Sequence, residues 1–282
     1  MNKLSLEERT AVVGALVEGN SIRATVRMTG VAKNTVVNLL HDLGAACYRY
    51  QWETLRRLEC RRLQVDEIWS YCYAKEKNVP AAHKGEFGYG DVWTYVALDP
   101  QTKLVPCWHV GRRSGADATI FLQDLASRLL NRVQLTTDGF RPYIEAVANT
   151  FGDEVDYAQL MKMYAPEGGR TPERRYSPAV CTGAKPTPVV GNPEPKHIST
   201  SFVERQNLTM RMHMRRFTRL TNAFSRKVEN LAASVALHFM WYNFGRVHQT
   251  HGFTPAFAAG VADHKWTVEE IVGLLDSQPG SN

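Results

Sequence analysis

The sequence predicts an α/β protein: a mixed sheet flanked by helices, preceded by a small all-α helix-turn-helix segment. Three observations predict it. Residues 5–43 carry helix caps and helical apolar spacing but no strand pattern. Residues 63–137 hold alternating runs suited to half-buried strands, with one helical stretch before the last of them. Residues 199–217 return to helical period and place a lone carboxylate at the head of a basic segment.

The 282 residues allow one or two domains with a sizeable core, and 10% aromatic content excludes a disordered chain. The net charge is +6, and its distribution says more than its sum. Residues 1–62 hold ten Lys/Arg against six Asp/Glu, and from Arg205 to Lys227 there are seven basic residues and no acidic one. Two basic ends around a near-neutral middle suit a polyanionic partner. Five scattered cysteines without a Cys-x-x-Cys pair argue against disulfide or zinc-ribbon frameworks and suit a reducing cytoplasm. There is no signal-peptide core, and no apolar run reaches membrane-spanning length, so no membrane partner is expected.

In chain order, Ser5-Leu6-Glu7-Glu8 reads as a capping box opening a helix to about Leu16. Ser21 caps a second helix, Ile22 to Met28, Gly30 makes a turn, and a third helix runs from Lys33 to Leu43. That is a helix-turn-helix pattern, with Ile22, Val26, Val31, Val36, Val37 and Leu40 as its small core. Lys33, Asn34, Asn38 and His41 then face outward, available to base edges or phosphates. A three-helix bundle for packing or dimerisation is the competing reading. Residues 44–62 are expected as a basic linker, part of it a solvated helix.

The larger unit spans residues 63–260. Leu63 to Tyr71 alternates as a strand, so Asp66 and Glu67 point to opposite faces and only one is expected at a given site. Val92 to Asp99 and Leu104 to Val110 form a hairpin, with Asp99 opening its turn. A helix over Ala116 to Leu130 leads to a fourth strand, Val133 to Thr137, which ends at Asp138-Gly139. A strand end is where α/β sheets put their chemistry, although an ordinary turn aspartate fits as well. Pro142 starts the next helix, and Val155 to Tyr157 form a short fifth strand. Residues 165–196 hold seven of the thirteen prolines and read as a long irregular insertion.

The following helix aligns Val203, Asn207, Met210, Met214 and Phe217 in one stripe, with Glu204, Leu208, Arg211 and Arg215 beside it. Glu204 has two readings: partner of Ser201 in a capping box, or an acid of a metal site drawing in polyphosphate. Asn222 to Phe244 is a long core-facing helix, Thr254-Pro255 starts a short one, and residues 261–282 form a last helix and tail. His248 and His251 are three apart. Without nearby cysteines or a metalloprotease glutamate, a role in the fold or on phosphate is expected, not a zinc site.

The blocks Leu135-Thr136-Thr137-Asp138-Gly139 with Tyr143, Ser201-Phe202-Val203-Glu204-Arg205-Gln206-Asn207, and Asp66-Glu67-Ile68-Trp69 resemble those of the DDE insertion-sequence transposases, most closely the family of insertion sequence one. The closing Tyr242-Asn243, Arg246, His248 and Thr254-Pro255 are similar to a tail common in such enzymes. The resemblance covers roughly residues 60–260. The cysteine zinc ribbon that often precedes the helix-turn-helix in that family is absent from this sequence.

The resemblance implies a ribonuclease H-like sheet in which Asp66, Asp138 and Glu204 meet. They would be the catalytic acids and hold two Mg²⁺ ions, with Mn²⁺ able to substitute, for DNA cleavage and strand transfer by in-line displacement at phosphorus. Arg211 would hold a terminal phosphate, and Arg215 would follow the backbone. Double-stranded element ends and target DNA are the implied partners, joined by at least a homodimer in the cytoplasm near the nucleoid. Two other readings remain: an inactive helix-turn-helix regulator, and a ribonuclease H-like host nuclease.

Overall fold

The computed structural model describes residues 4–164, 181–218 and 222–276. Three helices open the chain: α1 (Leu6–Val17), α2 (Ile22–Thr29) and α3 (Lys33–Thr54). The caps are those the sequence marks. Ser5 and Glu8 close a reciprocal capping box, Ser21 accepts the Ala24 N–H, and Gly30 ends α2 with φ of 72°. Helix α3 differs from expectation. It continues past Leu43 through most of the anticipated linker, because Gly44, Ala46, Cys47 and Gln51 supply a buried face.

The sheet contains β1 (Arg62–Cys72), β2 (Gly90–Leu98), β3 (Trp108–Gly111), β4 (Val133–Asp138), β5 (Val155–Tyr164) and β6 (Cys181–Val190). Their order is β3-β2-β1-β4-β5-β6. The first three strands pair antiparallel, whereas β4 and β5 run parallel to β1. This is the ribonuclease H-like arrangement, a mixed sheet flanked by helices. Strand β6 returns antiparallel along β5. Residues 181–190 are therefore a paired edge strand and not irregular insertion. Its prolines are tolerated because an edge strand need not donate on both sides. The first half of the expected insertion, residues 165–180 with Arg170, Arg174 and Arg175, lies outside the described residues, as does Arg219.

Helices α4 (Gly115–Arg128) and α5 (Pro142–Phe151) pack together, and α4 covers β2 and β3. Helix α6 (Ser201–His213) crosses β1 and β2, and α3 packs along α7 (Val228–Met240). A Cβ on Gly44 would lie 2.5 Å from the Ala233 Cα, so the bare glycine sets the distance between α3 and α7. Helix α7 starts at Val228, six residues later than expected, and runs into a π turn over Trp241–Gly245. There the buried Asn243 accepts the Val105 N–H at 3.0 Å, and the Tyr242 hydroxyl donates to the Lys103 carbonyl at 3.0 Å. This part of the closing motif is thus an internal anchor. Two short helices, α8 (Pro255–Ala258) and α9 (Val268–Gly273), complete the described chain.

Cys47, Cys60, Cys72 and Cys107 are buried as free thiols, and Cys181 is exposed. Among the described residues no helix is long and apolar enough to cross a membrane.

Candidate active site

The site forms where β1 and β4 part company. Their pairing ends at Val65↔Thr137, one residue short of Asp66 and Asp138. On β1, Gln64 and Asp66 turn toward α6, and Glu67 turns toward Tyr143 of α5. Beyond the last paired residues, side chains from the two faces approach one another. Asp66, Glu67 and Asp138 each bring a carboxylate oxygen to within 4.8 Å of the others. The expectation that strand alternation admits only one of Asp66 and Glu67 is therefore corrected. Alternation fixes where Cβ points, but the longer Glu67 side chain reaches the open strand end.

Each acid is held differently. Asp66 accepts a hydrogen bond from the Asn207 amide at 2.9 Å. Burial, reinforced by Glu67 and Asp138, pushes its pKa up to about 8. Asp138 makes a turn with the Phe140 N–H at 2.9 Å, and burial raises its pKa too. Glu67 accepts from Arg113 Nε at 2.8 Å and from the Tyr143 hydroxyl at 3.3 Å. It too is raised, by burial first and then by Asp138, with Arg113 opposing the shift. Crowded carboxylates away from water favour protonation until a cation joins them.

Glu204 comes from α6. The helix has no side-chain cap of its own; instead Gln64 accepts the N–H groups of Phe202 and Val203 at 2.8 and 3.1 Å. That bond and the Asn207–Asp66 bond dock α6 on β1. Glu204 does not close a capping box with Ser201. It accepts from the Thr200 hydroxyl and pairs with Lys162 of β5. Its charge adds to the upward push on both Asp66 and Asp138. Of the three acids singled out from the sequence, Asp66 and Asp138 come together, whereas Glu204 lies outside their 4.8 Å cluster and acts on it through its charge. Glu67, Arg113 and Lys162 join them, and the sequence alone does not mark these three as partners.

Four carboxylates against two cations, Arg113 and Lys162, leave this region with a formal deficit of positive charge. The donors are hard carboxylate oxygens, and among the described residues Asp66 has no ion pair and Asp138 has the 3.6 Å contact with Arg113. Such a set fits a divalent cation of the Mg²⁺ type.

The other residues singled out from the sequence are dispersed. Lys33, Asn34, Asn38 and His41 all lie exposed on α3. Arg211 is half-buried on the last turn of α6. Arg215 is exposed, but α6 stops at His213, so it stands on a separate 3-10 turn over Arg215–Phe217 and not on the helix of Glu204. The half-buried Arg216 beside it donates to Ser225 at 2.7 Å, and desolvation pushes its pKa down to about 10. His248 and His251 lie near one another in a turn, with ring centroids 5.2 Å apart, and neither belongs to the metal-type cluster.

No protein-family model matches the chain, and no curated protein sequence matches it. Among solved structures it is similar to the piggyBac transposase in a synaptic complex with hairpin DNA, at 11% identity over 97% of this chain and 71% of that one, with a TM-score of 0.42. It is also similar to the Mos1 strand transfer complex, at 13% identity over 85% of this chain and 76% of that one, with a TM-score of 0.26. Both likenesses are distant.

Proposed function

We propose that the chain is a DNA transposase of the DDE class, akin to the insertion-sequence-one family, that binds its element's ends and catalyses DNA cleavage and strand transfer. The observation that carries this is the carboxylate cluster of Asp66, Glu67 and Asp138 at the open end of β1 and β4, with Glu204 facing it from α6. Asp66, Asp138 and Glu204 are the proposed metal ligands. Bound there, two Mg²⁺ ions would supply activation of an attacking oxygen and stabilisation of the leaving oxygen. The chain's own contribution is positional. Asn207 orients Asp66, the Phe140 N–H orients Asp138, and Lys162 with Thr200 holds Glu204.

DNA recognition is assigned to residues 1–43, with Lys33, Asn34, Asn38 and His41 on the exposed face of α3. Arg211 and Arg215 are assigned to the phosphate backbone. Residues 44–62, which begin with the second half of α3, would join this unit to a catalytic unit over residues 63–260, with residues 261–282 as its tail. A homodimer on two DNA ends, near the nucleoid, completes the reading.

The test is nicking and joining of supercoiled plasmid carrying the element's ends, with Mg²⁺ or Mn²⁺. Asp66→Asn, Asp138→Asn and Glu204→Gln should each abolish cleavage while leaving DNA binding intact. A Glu204→Gln protein that still cuts would place the third ligand elsewhere, with Glu67 the first alternative. A wild-type protein that binds the ends and never cuts would make the chain a DNA-binding regulator. Cutting without regard to the ends and without joining would make it a nuclease.

A further inference from the structure

Arg113 stands in the loop between β3 and α4, and its guanidinium is engaged on all but one edge. Nε donates to Glu67 at 2.8 Å, and Nη2 lies 3.6 Å from Asp138. The planar group sits 4.9 Å from the centre of the Trp93 ring and 4.3 Å from that of Phe140. An arginine held by aromatic faces and by a buried carboxylate has lost most of its rotamer freedom before any ligand arrives. Its side chain nevertheless keeps 39% of its surface exposed, whereas that of Glu67 keeps 1%. The Arg113 side chain therefore stays reachable from solvent beside the acid cluster.

Glu67 differs from the other acids in how its oxygens are used. Oε1 receives Arg113 and Oε2 receives the Tyr143 hydroxyl, so both are committed to the protein. Asp66 takes its hydrogen bond from Asn207 on Oδ2, and Asp138 holds Arg113 only at the longer 3.6 Å. The Glu67 carboxylate is better placed to fix Arg113 than to take a metal ion.

We propose that Arg113 is a phosphate-binding residue that receives a DNA phosphodiester beside the acid cluster, and that Glu67 is the residue that positions it. This rests on the phosphoryl-transfer reading and extends it to a substrate contact. A clamped guanidinium offers two parallel N–H donors to a phosphate, a geometry that an ammonium does not reproduce. When Asp138 engages a cation, its long contact with Nη2 is the weakest restraint on Arg113 and the first to be given up. The forked edge is then available to a phosphate oxygen, while Glu67, Trp93 and Phe140 hold the plane in place.

The experiment measures binding of a duplex carrying one element end, in Ca²⁺ so that the strand stays intact, across a salt series. The proteins are wild type, Arg113→Lys, Arg113→Ala, Glu67→Gln, the double variant Arg113→Ala/Glu67→Gln and, for ion binding, Asp66→Asn. Mn²⁺ binding without DNA is followed in parallel by calorimetry. Arg113→Ala should weaken binding about tenfold and make the log–log salt slope shallower by about one. Arg113→Lys should keep most of the slope but still weaken binding several-fold, because the charge remains and the fork does not. Glu67→Gln should move the same quantities in the same direction with Mn²⁺ binding retained, and the double variant should match Arg113→Ala. The double variant also removes the carboxylate that Arg113→Ala alone would leave buried, which guards against simple misfolding. An unchanged affinity and slope in both Arg113→Ala and the double variant would overturn the phosphate assignment. Loss of Mn²⁺ binding in Glu67→Gln would overturn its positioning role and make it a ligand. Failure of wild type to bind the duplex, or failure of Asp66→Asn to alter Mn²⁺ binding, would instead strike the underlying reading of the site.

Discussion

The side-chain oxygen of Gln64 accepts the amide hydrogen of Phe202 at 2.8 Å, so a residue of β1 caps helix α6. The same oxygen takes the Val203 N–H at 3.1 Å. Two donors at a helix start thus depend on one side chain 138 residues earlier. Gln64→Ala should cost about 1–3 kcal/mol, because the Val203 N–H would be left buried and unpaired. Thermal unfolding should move down by several degrees, and cleavage should fall with it as Glu204 loses its register. A Gln64→Ala protein with wild-type melting would show that water or another group caps α6.

Asp66 provides a pH signature. Its folded pKa of about 8 lies above the ordinary 3.8. Between those values the folded chain holds a proton that the unfolded chain has released, so stability falls as pH rises. Glu67 and Asp138, also raised, add to this slope. Without divalent cation, melting should drop by at least about 5 °C from pH 5 to pH 8, since a tenfold difference in proton affinity between folded and unfolded chains corresponds to about 1.4 kcal/mol. Ca²⁺ or Mn²⁺ should flatten the dependence, and Asp66→Asn should remove much of it. An Asp66→Asn protein with an undiminished slope would refute the assignment.

Lys162 competes for Glu204. The two form an ion pair across β5 and α6, with both side chains about a third exposed, so the pair is worth no more than about 1 kcal/mol. Lys162→Met should therefore tighten Mn²⁺ binding modestly, up to about fivefold, if Glu204 is a ligand. Weaker Mn²⁺ binding in Lys162→Met, with DNA absent, would mean that the lysine organises the ligand set and does not compete with the ion.

Gly44 tests the helix pair. Because the atoms facing it include the Ala233 backbone Cα and O, Gly44→Ala should destabilise by about 1–3 kcal/mol, and Ala233→Gly should not restore the loss. Equal melting of Gly44→Ala and wild type would show that α3 and α7 can slide apart without cost.

Much of this arrangement is legible in the sequence because it is local. Ser5, Ser21 and Gly30 mark helix ends through bonds to residues a few positions away, and the alternation around Asp66 and before Asp138 marks β1 and β4. The partners that tune the site are not local. Arg113 sits in a loop with no pattern of its own, and Lys162 lies on a part of β5 that exists as strand because β6 pairs with it. Gln64 looks like any polar strand residue until α6 is laid across it. Alternation also misplaces Glu67, since the rule governs backbone direction and not the reach of a long side chain past an unpaired strand end.

The distribution of thiols has a practical consequence. Burial drives the Cys60 and Cys72 thiols up to about 12 and raises Cys47 and Cys107 as well, so these four hold almost no thiolate at neutral pH. Maleimide chemistry on the folded chain is thereby directed to Cys181, at the start of β6. One fluorophore or spin label would then report on the edge of the sheet, next to the strand that carries Lys162, with no cysteine needing to be removed first.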